Sequence, residues 1–327
     1  MSKRTESPRV TLLAGGVGGA RMATGLCAAL APGALSIVAN IGDDERFYGL
    51  HVSPDLDTIL YTLAGAVDVS QGWGVSGDTV RVLETLLKLG APAWMKLGDV
   101  DFALHIYRSW RLANGDRLTD IMSDVALRMG LKCRLLPATD GVVPTEVDTE
   151  EGVLRFQEWF VERRSAPKVR RLYFKGASTT EPTREVRDAI GEADIVIIAP
   201  SNPLLSIEPI LALRGLRQRL AERRTPCVAI SPLINGRAVK GPLDRMLADM
   251  GLPGGAVGIA ECYAGLIDGI VIDQSDASEE AALRNRGIKV LTAETYIKEP
   301  ERSKSLAELV LDWAGHLNAG ALAGGEQ

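Results

Sequence analysis

Little in this chain suits the commoner metal and redox chemistries. Its four cysteines, Cys27, Cys133, Cys227 and Cys262, stand far apart with no Cys-x-x-Cys pair. That argues against a disulfide framework or a zinc site and for buried thiols in a reducing compartment. Three histidines are too few and too scattered for a histidine metal cluster. Positive charge is in deficit: 37 lysines and arginines face 42 aspartates and glutamates, a net charge of −5. No global basic field therefore draws nucleic acid, and the pairs Arg163-Arg164 and Arg223-Arg224 read as solvated helix ends. No apolar run reaches the ~18–20 residues of a membrane span. The first nine residues are polar, without a signal-peptide core. These absences predict a cytoplasmic protein with neither membrane nor nucleic-acid partners. What remains, 327 residues of which 46% are hydrophobic, is enough to bury a large α/β core.

The strongest local feature is the run Val10-Thr11-Leu12-Leu13-Ala14 followed by Gly15-Gly16-Val17-Gly18-Gly19-Ala20-Arg21 and a helical segment, Met22 to Leu30. The order predicts a buried strand, a tight glycine turn and a helix start. Such a turn lets backbone N–H groups approach an oxyanion, and the helix dipole favours negative charge there. Gly15, Gly16, Gly18 and Gly19 are therefore candidate phosphate contacts; the alternative is a turn that uses glycine only for close strand–helix packing. Two commoner nucleotide signatures fail. A G-x-G-x-x-G fingerprint begun at Gly16 meets Arg21 where its third glycine belongs, and no Gly-Lys-Ser/Thr follows for a Walker A loop. The second strand, Leu35 to Ala39, ends in Asn40 where a dehydrogenase prefers an acid for the ribose, which weakens a nicotinamide reading further.

Four carboxylates follow within two turn-like pieces, Ile41-Gly42-Asp43-Asp44 and Ser53-Pro54-Asp55-Leu56-Asp57-Thr58. Ligands of parallel sheets bind outside the carboxyl ends of the strands, and Mg²⁺ prefers hard oxygen ligands beside phosphates. Asp43, Asp44 and Asp57 are the candidate Mg²⁺- or hydroxyl-binding set. Ser53-Pro54-Asp55 also has the form of a helix start, and Asp55 by itself reads as a capping residue.

From about Ile59 to Met129 the pattern is helical, which predicts a helical insertion at about 59–130 over the ligand edge of the sheet. Within it Lys96 and Arg108 are placed to face an anion, while His105 reads as a satisfied helix histidine. Phe156 to Phe160 reads as aromatic core. Ala193 to Ala199 is a continuous apolar strand ending in Pro200-Ser201-Asn202-Pro203, so Ser201 and Asn202 are second candidate phosphate or nucleotide contacts, or ordinary turn residues. A helix is expected from about Glu208 to Arg224. Later strands are expected at Cys227–Ile234, Gly269–Asp273 and Ile288–Leu291, with a last helix from about Ser305 to Leu317. With no repeat and no long linker, the expectation is a single domain, 1–327. It is α/β and doubly wound, with a mostly parallel sheet, the helical insertion, and a disordered tail at about 318–327.

Several of these stretches together resemble the 2-phospho-L-lactate transferase family: Gly15 to Arg21, Asn40 to Asp44, Ser53 to Thr58, Lys96-Leu97-Gly98-Asp99, Phe156-Gln157-Glu158-Trp159, Ala199 to Pro203 and Ser231-Pro232-Leu233-Ile234. The resemblance runs from about residue 10 to about 310. It implies a Rossmann-like core, a homodimer, a Mg²⁺ requirement and a role in coenzyme F-420 biosynthesis. The implied reaction moves a phospholactyl- or phosphoenolpyruvyl-type group from a guanosine diphosphate-linked donor to the deazaflavin Fo, releasing GMP. Carried over by motif, Asp57 and Lys96 match the Fo-binding positions, and Asp43, Asp44 and Asp57 match the acidic region tied to Mg²⁺ and the ribityl hydroxyl. Gly15 to Gly19, with Ser201 and Asn202, match the phosphate and guanosine side. The expected mechanism has Asp57 orienting the attacking hydroxyl in preference to deprotonating it, since an unperturbed aspartate, with a pKa near ~4, is a weak base at neutral pH. A non-catalytic nucleotide-sugar-binding regulator of the gluconeogenesis-factor type shares the fold and is the alternative. A nicotinamide oxidoreductase is a third reading.

Overall fold

The computed structural model describes residues 7–92 and 94–323, with side chains as far as residue 317. Its first half begins with strand β1 (Val10–Ala14), helix α1 (Gly16–Ala29) and β2 (Leu35–Ala39). A short hairpin, β3 (Glu45–Phe47) and β4 (Leu50–Val52), leads into four helices: α2 (Pro54–Leu63), α3 (Arg81–Lys88), α4 (Asp99–Ala113) and α5 (Leu118–Arg128). The chain returns to the sheet in β5 (Arg134–Pro137), then forms β6 (Thr145–Thr149), β7 (Gly152–Arg155) and β8 (Val169–Phe174).

The second half is regular. It runs α6 (Arg184–Glu192), β9 (Ile195–Ile198), α7 (Glu208–Leu211), α8 (Leu216–Ala221) and β10 (Cys227–Ile230). A two-stranded ribbon, β11 (Leu233–Ile234) and β12 (Arg237–Ala238), precedes α9 (Leu243–Asp249) and α10 (Gly255–Cys262). The chain closes with β13 (Gly269–Asp273), α11 (Glu280–Arg284), β14 (Lys289–Ala293) and α12 (Pro300–Ala323).

Seven strands form one sheet in the order β14-β13-β10-β9-β1-β2-β5, and each neighbouring pair is parallel. Every residue of β1, β2, β9, β10 and β13 is buried, as a sheet covered on both faces requires. Their continuous apolar runs are the reason these segments were readable as strands. Leu12 at the centre of β1 stands level with Ile37 of β2 on one side and Ile197 of β9 on the other. Taken in chain order from one edge, the winding runs outward from β1 in both directions, so the strand order reverses between β1 and β9. That switch point is where an open α/β sheet leaves a crevice for ligand.

Several boundaries differ from expectation. Helix α1 starts within the glycine run, at Gly16, because glycine at φ +62° turns the chain straight from the strand into the helix. The helix expected from Glu208 to Arg224 is broken into α7 and α8 by Gly215, which takes a left-handed conformation. Strands β6 and β8 belong to a separate antiparallel sheet of order β7-β6-β8. Helix α12 extends beyond Leu317 to Ala323, and residues 324–327 of the expected tail lie outside the described residues. Among the described residues no helix is long and apolar enough to cross a membrane.

The β3–β4 hairpin and the segment between α2 and α5 share a small core, built on Phe47, Val52, Leu83, Leu97 and Phe102 and separate from the main core. Two aspartates tie its helices together. Asp99 accepts from the backbone N–H of Val82 and the hydroxyl of Thr79 at the start of α3, and Asp78 accepts from the N–H of Val100 at the start of α4. Each carboxylate meets the positive end of the other helix's dipole.

Candidate active site

A cavity of about 530 Å³ opens over the switch point. Its floor is the glycine run after β1 and the Pro200-Ser201-Asn202 turn after β9; the helical segment supplies one wall and residues 231–243 another.

The two strand ends are fastened to each other. The Ser201 hydroxyl donates to the carbonyl of Gly15 at 2.7 Å and stands 3.2 Å from its N–H. A side chain on Gly18 would land on the Pro200 carbonyl, so glycine there is required by the close approach of α1 to the turn. Both readings of the glycine run therefore hold together: close packing, and N–H groups facing the crevice. Of the N–H groups that a helix start leaves without an intrahelical partner, that of Gly16 donates to Asp55 at 2.8 Å. Those of Val17 and Gly18 meet no acceptor among the described residues. Asn202 accepts from the N–H groups of Leu204 and Leu205 and so caps the turn that follows it.

The acids divide by partner. Asn40, fully buried at the end of β2, donates to Asp43 at 3.2 Å and to Asp55 at 3.0 Å, holding two carboxylates against one wall of the cavity. Asp43 also accepts from the Asp55 backbone N–H, and the side chain of Gln157 donates to the Asp43 carbonyl at 2.9 Å. Burial, then the charge of Asp55 and of Asp44, pushes the Asp43 carboxyl well above the ordinary range. Burial raises Asp55 to about 6, against the opposing hydrogen bonds of Asn40, Gly16 and Ser206. Asp44 turns elsewhere: it pairs with His51 at 2.9 Å, accepts from Ser53 at 2.9 Å and does not line the cavity.

Asp57 is buried (5% exposed) and lies under α4, where the guanidinium of Arg108 holds it with both terminal nitrogens. Arg108 is fully buried and also reaches the His51 carbonyl at 3.3 Å. The spacing Asp101, His105, Arg108 places all three on the buried face of α4. His105 lines the cavity with Nδ1 3.7 Å from Asp57, too far for a hydrogen bond, and burial pushes its imidazole down to about 4. Lys96 is exposed at the cavity mouth, with Nζ 6.0 Å from the centre of the Trp73 ring.

The family model for 2-phospho-L-lactate transferase CofD matches residues 10–305. The chain belongs to the CofD family. Among its relatives are a phosphoenolpyruvate transferase of Streptomyces griseus, 36% identical over 95% of this chain and 100% of that protein, and one of Thermobifida fusca, 39% identical over 94% and 98%. A 2-phospho-L-lactate transferase of Methanosarcina mazei is 34% identical over 92% of this chain and 98% of that protein. A solved structure from Bacillus halodurans, of a UPF0052 family member, superposes with a TM-score of 0.63 over 94% of this chain and 99% of its own; at 15% identity the likeness is one of fold. The chain is thus a CofD-family transferase of coenzyme F-420 biosynthesis, on a Rossmann-like sheet.

In this CofD-family chain the expected donor-side residues converge: Gly15, Gly16, Gly18, Ser201 and Asn202 all line the cavity, while Gly19 packs beneath them against Ser201 and Ala14. The acidic set is regrouped. Asp43, Asp55 and Asp57 line the cavity, with Asp44 outside it, and among the described residues no three acids, histidines or cysteines stand together as a ready metal site. The donor chemistry still fits Mg²⁺ at Asp43 and Asp55: two crowded, buried carboxylates beside a phosphate-binding turn, where the ion takes its other ligands from phosphate and water.

The sequence reading passed over Asp55, Asn40 and Gln157. Asp55 had the form of a cap for α2, but its side chain reaches the start of α1 instead. Asn40 carried a signal, an amide at a ligand-facing strand end, that was used only to weaken the nicotinamide reading. The Phe156–Phe160 stretch is only partly core: Trp159 is buried and donates to the Pro167 carbonyl, while Phe156, Gln157 and Phe160 line the cavity.

Proposed function

We propose that this cavity transfers a phosphoenolpyruvyl- or phospholactyl-type group from a guanosine diphosphate-linked donor to the deazaflavin Fo, with GMP as the leaving group. The observation that carries the reading is the pairing of an N–H-lined turn at the switch point with the Asp43–Asp55 carboxylates facing it, in a chain of this family. In the step, the terminal hydroxyl oxygen of Fo forms a bond to the phosphorus bearing the three-carbon acid. The bond from that phosphorus to the bridging oxygen breaks, the electron pair leaves on GMP, and the hydroxyl proton is released to water as the new bond completes.

The chain's own residues mostly position and stabilise charge, as phosphoryl transfer asks. The N–H groups of Val17 and Gly18 hold phosphate oxygens, and Ser201 keeps the glycine run at a fixed distance from the β9 turn. Asp43 and Asp55 would hold Mg²⁺, which when bound neutralises the diphosphate. Asp57 accepts a hydrogen bond from the attacking hydroxyl. Because Arg108 balances its charge, it orients the alcohol and does not remove the proton early. Lys96 stands at the mouth, placed for the deazaflavin end of the acceptor.

The test is a product assay with purified protein, Fo, Mg²⁺ and guanosine donors carrying lactate, enolpyruvate or glycerate. Release of GMP together with a mass-shifted deazaflavin is expected, and the fastest donor identifies the acid. Folded protein that binds a nucleotide sugar and neither binds nor converts Fo would replace this reading with the regulatory one.

A further inference from the structure

Beyond the residues already placed, two side chains on the cavity wall, Tyr61 and His105, carry buried polar atoms with no partner among the described residues, and in His105 both ring nitrogens are affected. Both ring nitrogens of His105 are buried without a hydrogen bond among the described residues, and the side chain is 2% exposed. Buried polar groups are nearly always paired, and a bare pair of imidazole nitrogens is costly unless something else completes them. His105 is not sealed in the core: it lines the cavity beside Asp57, as do Lys96 and Asp101.

We propose that His105 is a specificity-determining residue of the acceptor end, taking a non-reacting hydroxyl of the acceptor's polyol side chain and thereby fixing which hydroxyl faces Asp57. The assignment rests on the acceptor reading above. Three observations select an alcohol as the group it takes. A neutral imidazole carries one donor and one acceptor nitrogen, and a hydroxyl likewise donates and accepts. The surroundings disfavour an anion, because the carboxylates of Asp57 and Asp101 line the same wall while the N–H groups that suit phosphate lie at the glycine run. The position is rigid as well: His105 sits one turn before Arg108 on α4, and Arg108 is locked onto Asp57, so the imidazole and the carboxylate keep a fixed spacing.

The experiment compares wild type, His105→Phe and His105→Gln with Fo and with a set of Fo analogues, each lacking one non-terminal side-chain hydroxyl. His105→Phe is expected to lower kcat/KM for Fo at least tenfold, mainly through KM, with GDP affinity unchanged. His105→Gln, which keeps a donor and an acceptor, should recover much of the loss. With one particular deoxy analogue, wild type and His105→Phe should become equal within twofold, a convergence that a purely packing role does not produce. If His105→Phe does not fold, the same convergence is read between wild type and His105→Gln. Wild-type turnover of Fo with an unaffected variant, or a loss equal for Fo and every analogue, overturns the assignment and leaves the proposed function standing. Wild-type protein that neither binds nor converts Fo overturns both.

Discussion

At the scale of single residues, the site is governed by which carboxylate is balanced by a cation and which is not. Asp57 has Arg108. Replacing Asp57 alone strands a fully buried guanidinium, so an inactive Asp57→Asn variant reports on folding as much as on chemistry, a loss of the order of ~3–5 kcal/mol when one partner of such a pair is removed. Asp55 has hydrogen bonds but no ion pair among the described residues, and burial raises its pKa to about 6. The sign follows from proton binding. Between about pH 4 and pH 6 the folded state binds the Asp55 proton more tightly than the unfolded chain, so this group's contribution to stability falls as pH rises through that window. His105 acts oppositely: held near 4 in the fold, its contribution is gained as pH rises from about 4 towards ~6.5. The two nearly cancel in wild type. Asp55→Asn removes the falling contribution, so the difference in urea-unfolding stability should move in the variant's favour as pH rises, by about 2–3 kcal/mol between pH 4 and 7. A difference that stays constant with pH would mean that Asp55 is not held in its protonated form at acid pH.

At the scale of elements, the glycine run is a strand-to-helix joint before it is a phosphate site. Gly18 sits where α1 and the β9 turn touch, and Gly191, late in α6, has open space around the position of a side chain. Alanine at the two sites should therefore act in opposite directions. Gly191→Ala should stabilise by about 0.5–1 kcal/mol, because alanine loses less backbone freedom in a helix. Gly18→Ala must push the Pro200 carbonyl away, opening the gap between α1 and the turn. It should lower the melting temperature and weaken GDP binding at least tenfold, measured by calorimetry. Gly18→Ala with wild-type affinity would mean that the spacing of the two strand ends does not position the donor.

At the scale of the whole molecule, legibility followed the range of the interaction. Strands β1, β2, β9, β10 and β13 were legible because double-sided burial writes a local apolar run. The ligand edge was legible because glycine, proline and acid clusters punctuate it. The Asp57–Arg108 pair, 51 residues apart, and the Gln157–Asp43 bond, 114 apart, were not, since no local pattern names the partner. Strands were readable near β6 and β8, from Val142 to Val147 and from Arg170 to Phe174, but their pairing with β7 into a separate antiparallel sheet was not.

The same split between local and distant contacts shapes how the molecule should respond to ligand. The part of the helical segment around α3 packs on the small core it shares with the β3–β4 hairpin, to which α3 contributes a single buried residue, Leu83, whereas α5 packs in the main core. On the opposite side of the crevice, Lys240 donates to the Gln71 carbonyl at 2.6 Å, and Gly72 lies against Val17. An element with so few buried contacts should open well below the cost of global unfolding. Its amides should exchange faster than those of β1 and β9. If acceptor and donor analogue occupy the cavity as proposed, bound only to the closed form, ligand at 100 times its Kd should hold the segment closed by about 2.7 kcal/mol, a slowing of roughly a hundredfold. Hydrogen exchange with Fo and GDP present should show that slowing in α3 and residues 94–97, with α6, which does not line the cavity, unchanged. Uniform slowing across both would mean that ligand stabilises the fold as one unit, and that the helical segment has no opening of its own to suppress.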